Sequence, residues 1–305
     1  MSSFFLTRLW HGLIVVCGVT AIVFIVTRIV GDPVSAMLPI DASAAERALM
    51  AQQLGLDQPI HVQFMRFIAD MASFNFGDSL WQRRPALEII GERLPMTALL
   101  SVTSVVVAVA IAAPLGIFAA LRPGGWVDNV STVGGIAGLS IPQFWLGLLL
   151  IIAFGVQLKW LPTSGAQGAL SIILPAATLA VRSTARLAAV VRSSMLDELS
   201  RAYVRTARAK GLSVPRIILH ALRNAAVPLV TLAGWELVST MAGGVIVVET
   251  IFAWPGLGLT IVQAIERQDL VLLQAAVFTI AIVAMTVNLA VDVIHRLIDP
   301  RVALN

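Results

Sequence analysis

Apolar positions along this chain fall into blocks far longer than a soluble core needs. Four intervals hold no charged residue at all: between Arg8 and Arg28, Arg93 and Arg122, Asp128 and Lys159, and Asp269 and Asp292. Two further apolar stretches carry charge inside them, 171–192 with Arg182 and Arg186, and 225–248 with Glu236. A helix crossing a bilayer needs about 20 apolar residues, because the hydrocarbon layer is roughly 30 Å thick and each residue rises 1.5 Å. The pattern therefore predicts an all-α polytopic membrane protein with six transmembrane helices. An even number puts both termini on one side.

Composition agrees. Of 305 residues, 58% are hydrophobic and only 12% are charged, against about 25% charged in a soluble domain. That excludes a soluble or disordered chain, and a single cysteine, Cys17, excludes a disulfide scaffold. The net charge of +4 invites a nucleic-acid partner, but the placement of the basic residues argues for membrane topology instead. With the N-terminus inside, thirteen Lys and Arg lie on the inner side and eight on the outer. Five of those eight belong to the long segment 31–95, which weighs little in the positive-inside rule. Both termini are thus expected in the cytoplasm. No small-x-small cleavage site precedes Gly31-Asp32-Pro33, so the first apolar stretch reads as a retained anchor. The chain divides into an N-terminal transmembrane helix (1–30), an outer helical segment (31–95) and a five-helix core (96–305) that includes an inner loop, 193–224.

In the outer segment, Ser43-x-x-Glu46 has the capping-box spacing. It predicts a helix over 44–54, ended by Gly55. A second amphipathic helix is predicted over 59–72, with Ile60, Phe64, Phe67, Ile68 and Met71 on one stripe. The segment is either a helical cap on the outer face or a platform for a partner or substrate.

The inner loop is basic and regular. Residues 195–210 read as one helix broken by Gly211; Ser213 caps a second, short helix that tolerates Pro215 in its first turn. Ile217, Ile218 and Leu222 give that second helix an apolar side, Arg216 and Arg223 a charged one. Such a helix–glycine–helix elbow suits docking into a partner's groove; it suits equally a basic loop drawn to anionic lipid headgroups.

The segment Tyr203-Val-Arg-Thr-Ala-Arg-Ala-Lys-Gly211-Leu-Ser, continuing through His220-Ala-Leu-Arg-Asn224 to Pro228, closely resembles the coupling loop of ATP-binding-cassette importer permeases of the peptide/nickel branch. Gly31-Asp-Pro33, Leu54-Gly-Leu-Asp-Gln-Pro59, Phe76-Gly-Asp-Ser79 and Glu249-Thr-Ile-Phe-Ala-Trp-Pro-Gly-Leu-Gly258 resemble the same family, in order along the chain. The family's Glu-Ala-Ala signature falls on Arg205-Thr206-Ala207, so its glutamate is an arginine here and no role of that glutamate carries over. The resemblance implies a type I importer permease fold with an added first helix, in a bacterial inner membrane. It also implies a second homologous permease, two ATPase subunits that carry ATP and Mg, and a periplasmic or lipid-anchored binding protein. Coupling to the ATPases is then expected at Arg205, Thr206, Ala207, Arg208, Ala209, Lys210, Gly211, Leu212, Ser213 and Pro215. The substrate class it implies is small peptides, glutathione-like compounds included, or alternatively nickel or a metal chelate.

Glu236, near mid-span, should avoid lipid, because a charge there costs about 2.5–3.5 kcal/mol. It is either a structural partner of Arg182 or Arg186 or a lining of the translocation path. Met241, Gly243 and Gly244 allow close backbone approach, within the chain or at the second permease. His11, His61, His220 and His295 form no metal-ligand spacing, and no phosphate-binding loop is present: neither lysine, Lys159 or Lys210, follows the required glycine. The chain itself is thus expected to be no enzyme and to hold no cofactor or metal. A stand-alone secondary transporter is the rival class, and it would rest on Glu236 alone.

Overall fold

The computed structural model describes residues 2–29, 34, 38, 42–53 and 55–298. The family-like stretch 31–33, Leu54 and Arg301 lie outside the described residues, as do the side chains of Arg28, His295 and Arg296. In chain order the helices are α1 (Ser2–Ile29), α2 (Ala44–Gln53), α3 (Ile60–Ala72), α4 (Ala86–Leu121), α5 (Trp126–Ser140) and α6 (Gln143–Leu150). They continue with α7 (Ile173–Ser200), α8 (Ala202–Ala209), α9 (Val214–Ser239), α10 (Val245–Ile251), α11 (Leu257–Glu266) and α12 (Leu270–Ile298). Among the described residues, five helical runs are long and apolar enough to span a membrane: Thr7–Thr27, Ala86–Leu121, Ala169–Ser200, Val214–Ile251 and Leu270–Ile294.

The remaining expected span is not straight. Trp126–Ser140 and Gln143–Gln157 meet at 104°. Pro142 causes the break: it has no N–H to give the helix, and it forces Ile141 into extended backbone (φ −76°, ψ 124°). The second limb widens to π-helical turns over Ile151–Gln157. The charge-free interval from Asp128 to Lys159 thus makes six crossings in all if its two limbs count as one.

The chain forms two compact units, Met1–Thr97 with Pro255–Met285, and Ala98–Trp254 with Thr286–Asn305. In the first, the capping box forms as spelled: Ser43 N–H donates to Glu46 Oε2 (2.8 Å) and Glu46 N–H to Ser43 Oγ (3.2 Å). The Ser43 backbone donor holds the Glu46 carboxyl below its ordinary pKa. Gly55 takes the left-handed conformation (φ 65°) just beyond α2. On α3 the buried stripe is narrower than predicted. Phe67 and Met71 are buried and Phe64 packs against the same core, while Ile60 and Ile68 stay exposed. Phe24 of α1 meets Phe64 edge-on at 5.1 Å. Helix α11 was not anticipated; it buries Leu257, Ile261 and Ala264, and Leu257 N–H donates to Thr97 Oγ1 (2.8 Å). Asp269 is fully buried because every oxygen has work. Oδ1 caps α12 through Leu272 N–H (3.0 Å), and Oδ2 accepts from Ser79 Oγ (2.5 Å) and Trp81 N–H (3.2 Å).

The second unit is built on alanine and glycine. Ala108, Ala112 and Ala120 of α4 meet Ala180, Leu187, Ala188 and Val191 of α7 and Ala221, Ala225 and Leu229 of α9. A Cβ on Gly116 would lie 2.7 Å from the Ala188 carbonyl oxygen, and one on Gly138 3.1 Å from Val181 Cγ1. Small residues therefore set how closely α4 and α5 approach α7.

Two expectations for the inner loop are corrected here. The segment 195–210 is not one helix. It breaks at Arg201, whose backbone is extended (φ −68°, ψ 154°) between α7 and α8. Nor is there a separate short helix after Ser213. From Val214 the chain runs as one helix through Pro228 to Ser239, then through π-helical Thr240–Gly244 into α10. Pro228 removes one helical bond, to the Asn224 carbonyl, while burial of Ala221, Ala225 and Leu229 on either side holds the helix together.

Candidate functional site

The elbow between α7 and α9 contains every residue expected to couple. Its turn follows from Gly211, whose φ of 75° is left-handed. Leu212 N–H donates to the Ala207 carbonyl (3.1 Å) and Gly211 N–H to Arg208 (2.9 Å), which closes the end of α8 in a Schellman-like turn. Nothing lies within 4 Å of a Cβ placed on Gly211, so the demand for glycine is conformational and not steric. Ser213 sits at the start of α9 without making a side-chain cap, contrary to the capping expected of it, and Pro215 lies in the first turn as expected.

Arg205, Thr206, Arg208, Ala209, Lys210, Gly211, Ser213 and Pro215 are exposed, and Ala207 and Leu212 are partly so. Arg216 extends the same cationic surface. Beneath it Val204 is fully buried and Ile217 nearly so. Val204 was missed by the sequence reading. Its signal was visible, since it is the one aliphatic side chain larger than alanine in α8.

A second feature was missed altogether. Glu198 is buried near the end of α7, and three groups from around the elbow converge on it. Tyr203 Oη donates at 2.7 Å, Asn224 Nδ2 at 3.0 Å and Arg201 Nε at 2.9 Å. Burial, and then its bond to this carboxylate, raises the Tyr203 phenol above its ordinary pKa. One side chain thus joins α7, α8 and α9. It also explains the break at Arg201. Residues five apart on an unbroken helix lie about 140° apart around the axis, too far for Tyr203 to reach Glu198. Nearby, Arg192 of α7 binds Asp128 of α5 through both carboxylate oxygens, Nη2 to Oδ2 at 2.8 Å, and Asp128 Oδ2 also accepts from Gly124 N–H (2.9 Å).

Within the membrane-spanning part, Glu236 is only 4% exposed. Its Oε1 accepts from Arg186 Nη1 (3.0 Å) and its Oε2 from Ser183 Oγ (2.7 Å). Of the two arginines offered by the sequence, Arg186 is the partner and Arg182 is not. Met241 is buried, and the π-helical turn holds Gly243 and Gly244. A Cβ on Gly243 would meet nothing within 4 Å, and one on Gly244 only its own helix, at Ser239. The close approach these glycines permit is therefore not used inside the described chain. Among the described residues, no three His, Cys, Asp or Glu side chains gather to hold a metal.

Comparison with known proteins fits this geometry. Residues 112–304 match the family model of the binding-protein-dependent transport system inner membrane component. The chain is 40% identical over 304 residues to the glutathione transport system permease protein GsiC of Salmonella paratyphi A (strain ATCC 9150 / SARB42), covering 99% of both chains. It is 40% identical over 286 residues to GsiC of Escherichia coli (strain K12), covering 93% of each. Among solved structures it is similar to an inward-facing conformation of the MetNI methionine ABC transporter. There the TM-score is 0.59 at 21% identity, covering 70% of this chain and 98% of that one, a likeness of fold. Its helices, its elbow and its relatives agree: the chain belongs to the binding-protein-dependent transport system inner membrane components, as a multi-pass permease subunit of the peptide/nickel branch of ABC importers.

Proposed function

We propose that this chain, paired with a second permease, carries small peptides of the glutathione or di-/oligopeptide class inward by alternating access, with both termini in the cytoplasm. Two ATPase subunits supply the energy, and a binding protein on the outer side delivers substrate. The observation that carries the proposal is the elbow. It exposes Arg205, Arg208, Lys210 and Arg216 to a partner, while Val204 and Ile217 root it in the helix bundle.

The mechanism follows from how force passes through it. When the ATPases close on ATP, they displace α8. Because Glu198 ties α8 to the ends of α7 and α9, the displacement moves those helices together and does not merely bend a loop. Helix α9 passes the movement to Pro228 and to the π-helical turn at 240–244, where Gly243 and Gly244 stand at the path or at the second permease while Glu236 and Met241 stay buried in the bundle. A helix with a missing or shifted hydrogen bond flexes there more readily than elsewhere. The cationic elbow suits an acidic cleft on the ATPase, since complementary charge fixes register and speeds docking.

The test is uptake in proteoliposomes. The four-chain assembly with its binding protein should accumulate labelled glutathione or a dipeptide only with ATP inside. Accumulation of nickel or a metal chelate in place of peptide would move the substrate to the family's other class. Uptake by this chain alone would overturn the proposal.

A further inference from the structure

Helix α7 has one open face, and it is not apolar. Arg182, Ala189 and Ser193 are exposed and Arg186 is 35% exposed at its side chain. At 100° per residue these four positions fall within one arc of about 60°. On one flank α5 closes against Val181 and Ala185 through Gly138. On the other, Ser183 bonds Glu236 of α9. The arc between the two flanks is uncovered.

Arg182 lies nine residues into α7, which runs Ile173–Ser200, about 14 Å along its axis. A charge at that depth does not face lipid. Among the described residues, Arg182 makes no hydrogen bond or ion pair. Arg186 spends one N–H on Glu236 and is held in place by it, which leaves the other donors of its planar, partly exposed fork unspent on Glu236. Arg182, Arg186 and Glu236 together carry one net positive charge. Ala189 and Ser193, small and exposed on the same arc, leave space beside the arginines.

We propose that Arg182 and Arg186 form a mid-membrane site for the C-terminal carboxylate of the transported peptide, with Glu236 and Ser183 as positioning residues that orient Arg186. The site accepts one carboxylate, to which two guanidinium groups one helical turn apart offer charge-assisted bonds. It offers nothing of the kind to an amidated end. This rests on the importer reading above and adds where and by which chemical group the substrate is held in the path.

The experiment uses the full four-chain transporter with its binding protein in proteoliposomes, comparing glutathione with its C-terminal glycine amide. Any preference of the binding protein for one of the two is common to wild type and variant, so the ratio of variant to wild type for each compound reports the permease alone. Arg182→Gln should lower glutathione uptake about tenfold, the worth of a charged hydrogen bond, and leave amide uptake within about twofold. Arg182→Lys, which keeps the charge, should recover most of the loss. If Arg182→Gln disrupts assembly, Ala189→Glu places a competing carboxylate on the same face and should show the same selective loss. Equal loss for both compounds would overturn the site and assign Arg182 to a carboxylate of the second permease. Unchanged uptake of both would overturn it outright while leaving the importer reading intact. A wild-type assembly that moves neither compound would refute the peptide reading itself, and this site with it.

Discussion

Replacing Glu198 with alanine removes a carboxylate whose hydrogen bonds join the three helices of the elbow. The magnitude follows from its partners. Arg201 is 62% exposed at its side chain, so its ion pair counts for at most about 0.5 kcal/mol. Tyr203 and Asn224 each give a charge-assisted bond worth about 1.5–3 kcal/mol. Both donors stand at the rim and can turn to water, so the lower figure applies to each, about 3 kcal/mol together. Docking of α8 onto α7 and α9 should therefore weaken on the order of 100-fold, a factor of ten for each 1.4 kcal/mol. Amide hydrogen exchange over 203–210 should accelerate by a similar factor. In proteoliposomes, substrate moved per ATP hydrolysed should fall several-fold while ATPase activity persists, because α8 would follow the ATPases without carrying the bundle. Glu198→Gln keeps the shape and one acceptor, and should lose about half as much. Tyr203→Phe should add little on top of Glu198→Ala. Exchange and coupling ratio both at wild-type values in Glu198→Ala would refute the reasoning.

Gly211→Val should cost at least about 1–2 kcal/mol at the elbow through its left-handed backbone, with membrane insertion intact and uptake uncoupled from hydrolysis; Gly211→Asn, which tolerates that conformation, should stay near wild type in the same uptake assay. Glu236→Ala should lower the midpoint of thermal unfolding in detergent. The cost of breaking a buried pair, about 3–5 kcal/mol, shrinks here to roughly 1–2 because Arg186 is partly exposed; adding Arg186→Met should recover much of it. Gly116→Leu should destabilise by about 1–3 kcal/mol or more, since its Cβ would meet the Ala188 carbonyl at 2.7 Å. Gly124→Ala, with open space around it, should act only through its positive φ, and the two are separable by unfolding midpoint.

What was legible in the sequence depended on local chemistry. The Ser43–Glu46 cap and the turn at Gly211 each need only a few consecutive residues, and both form as read. The spans were legible because hydrophobic length is a local sum. Features set by distant residues were not. Glu198 went unread because one of its partners, Asn224, lies 26 residues further on. The choice of Arg186 over Arg182 depends on the rotation of α7 against α9, which no spacing within either helix discloses. Pro142 was visible, but an interval defined by missing charge passes through a proline unchanged, and the 104° bend went unread. Ser213 had the right identity and position for a cap and makes none: of the two amides a cap would take, Pro215 has no N–H and that of Arg216 goes to the carbonyl of Ser213.

The central claim is that the elbow is where ATP-driven motion enters this chain, and a cross-link reads it most directly. Cys17 is the single native cysteine and is exposed, so it is first replaced by serine; Arg208→Cys then puts one thiol on the outer face of α8. In membranes holding the whole transporter, a short bifunctional reagent should join this position to an ATPase subunit carrying a cysteine in its cleft. Yield should change between nucleotide-free and ATP-bound states, while a cysteine at the exposed outer position Phe74 gives none. Failure of position 208 to reach the ATPase in any nucleotide state, in an assembly that still transports, would contradict the account.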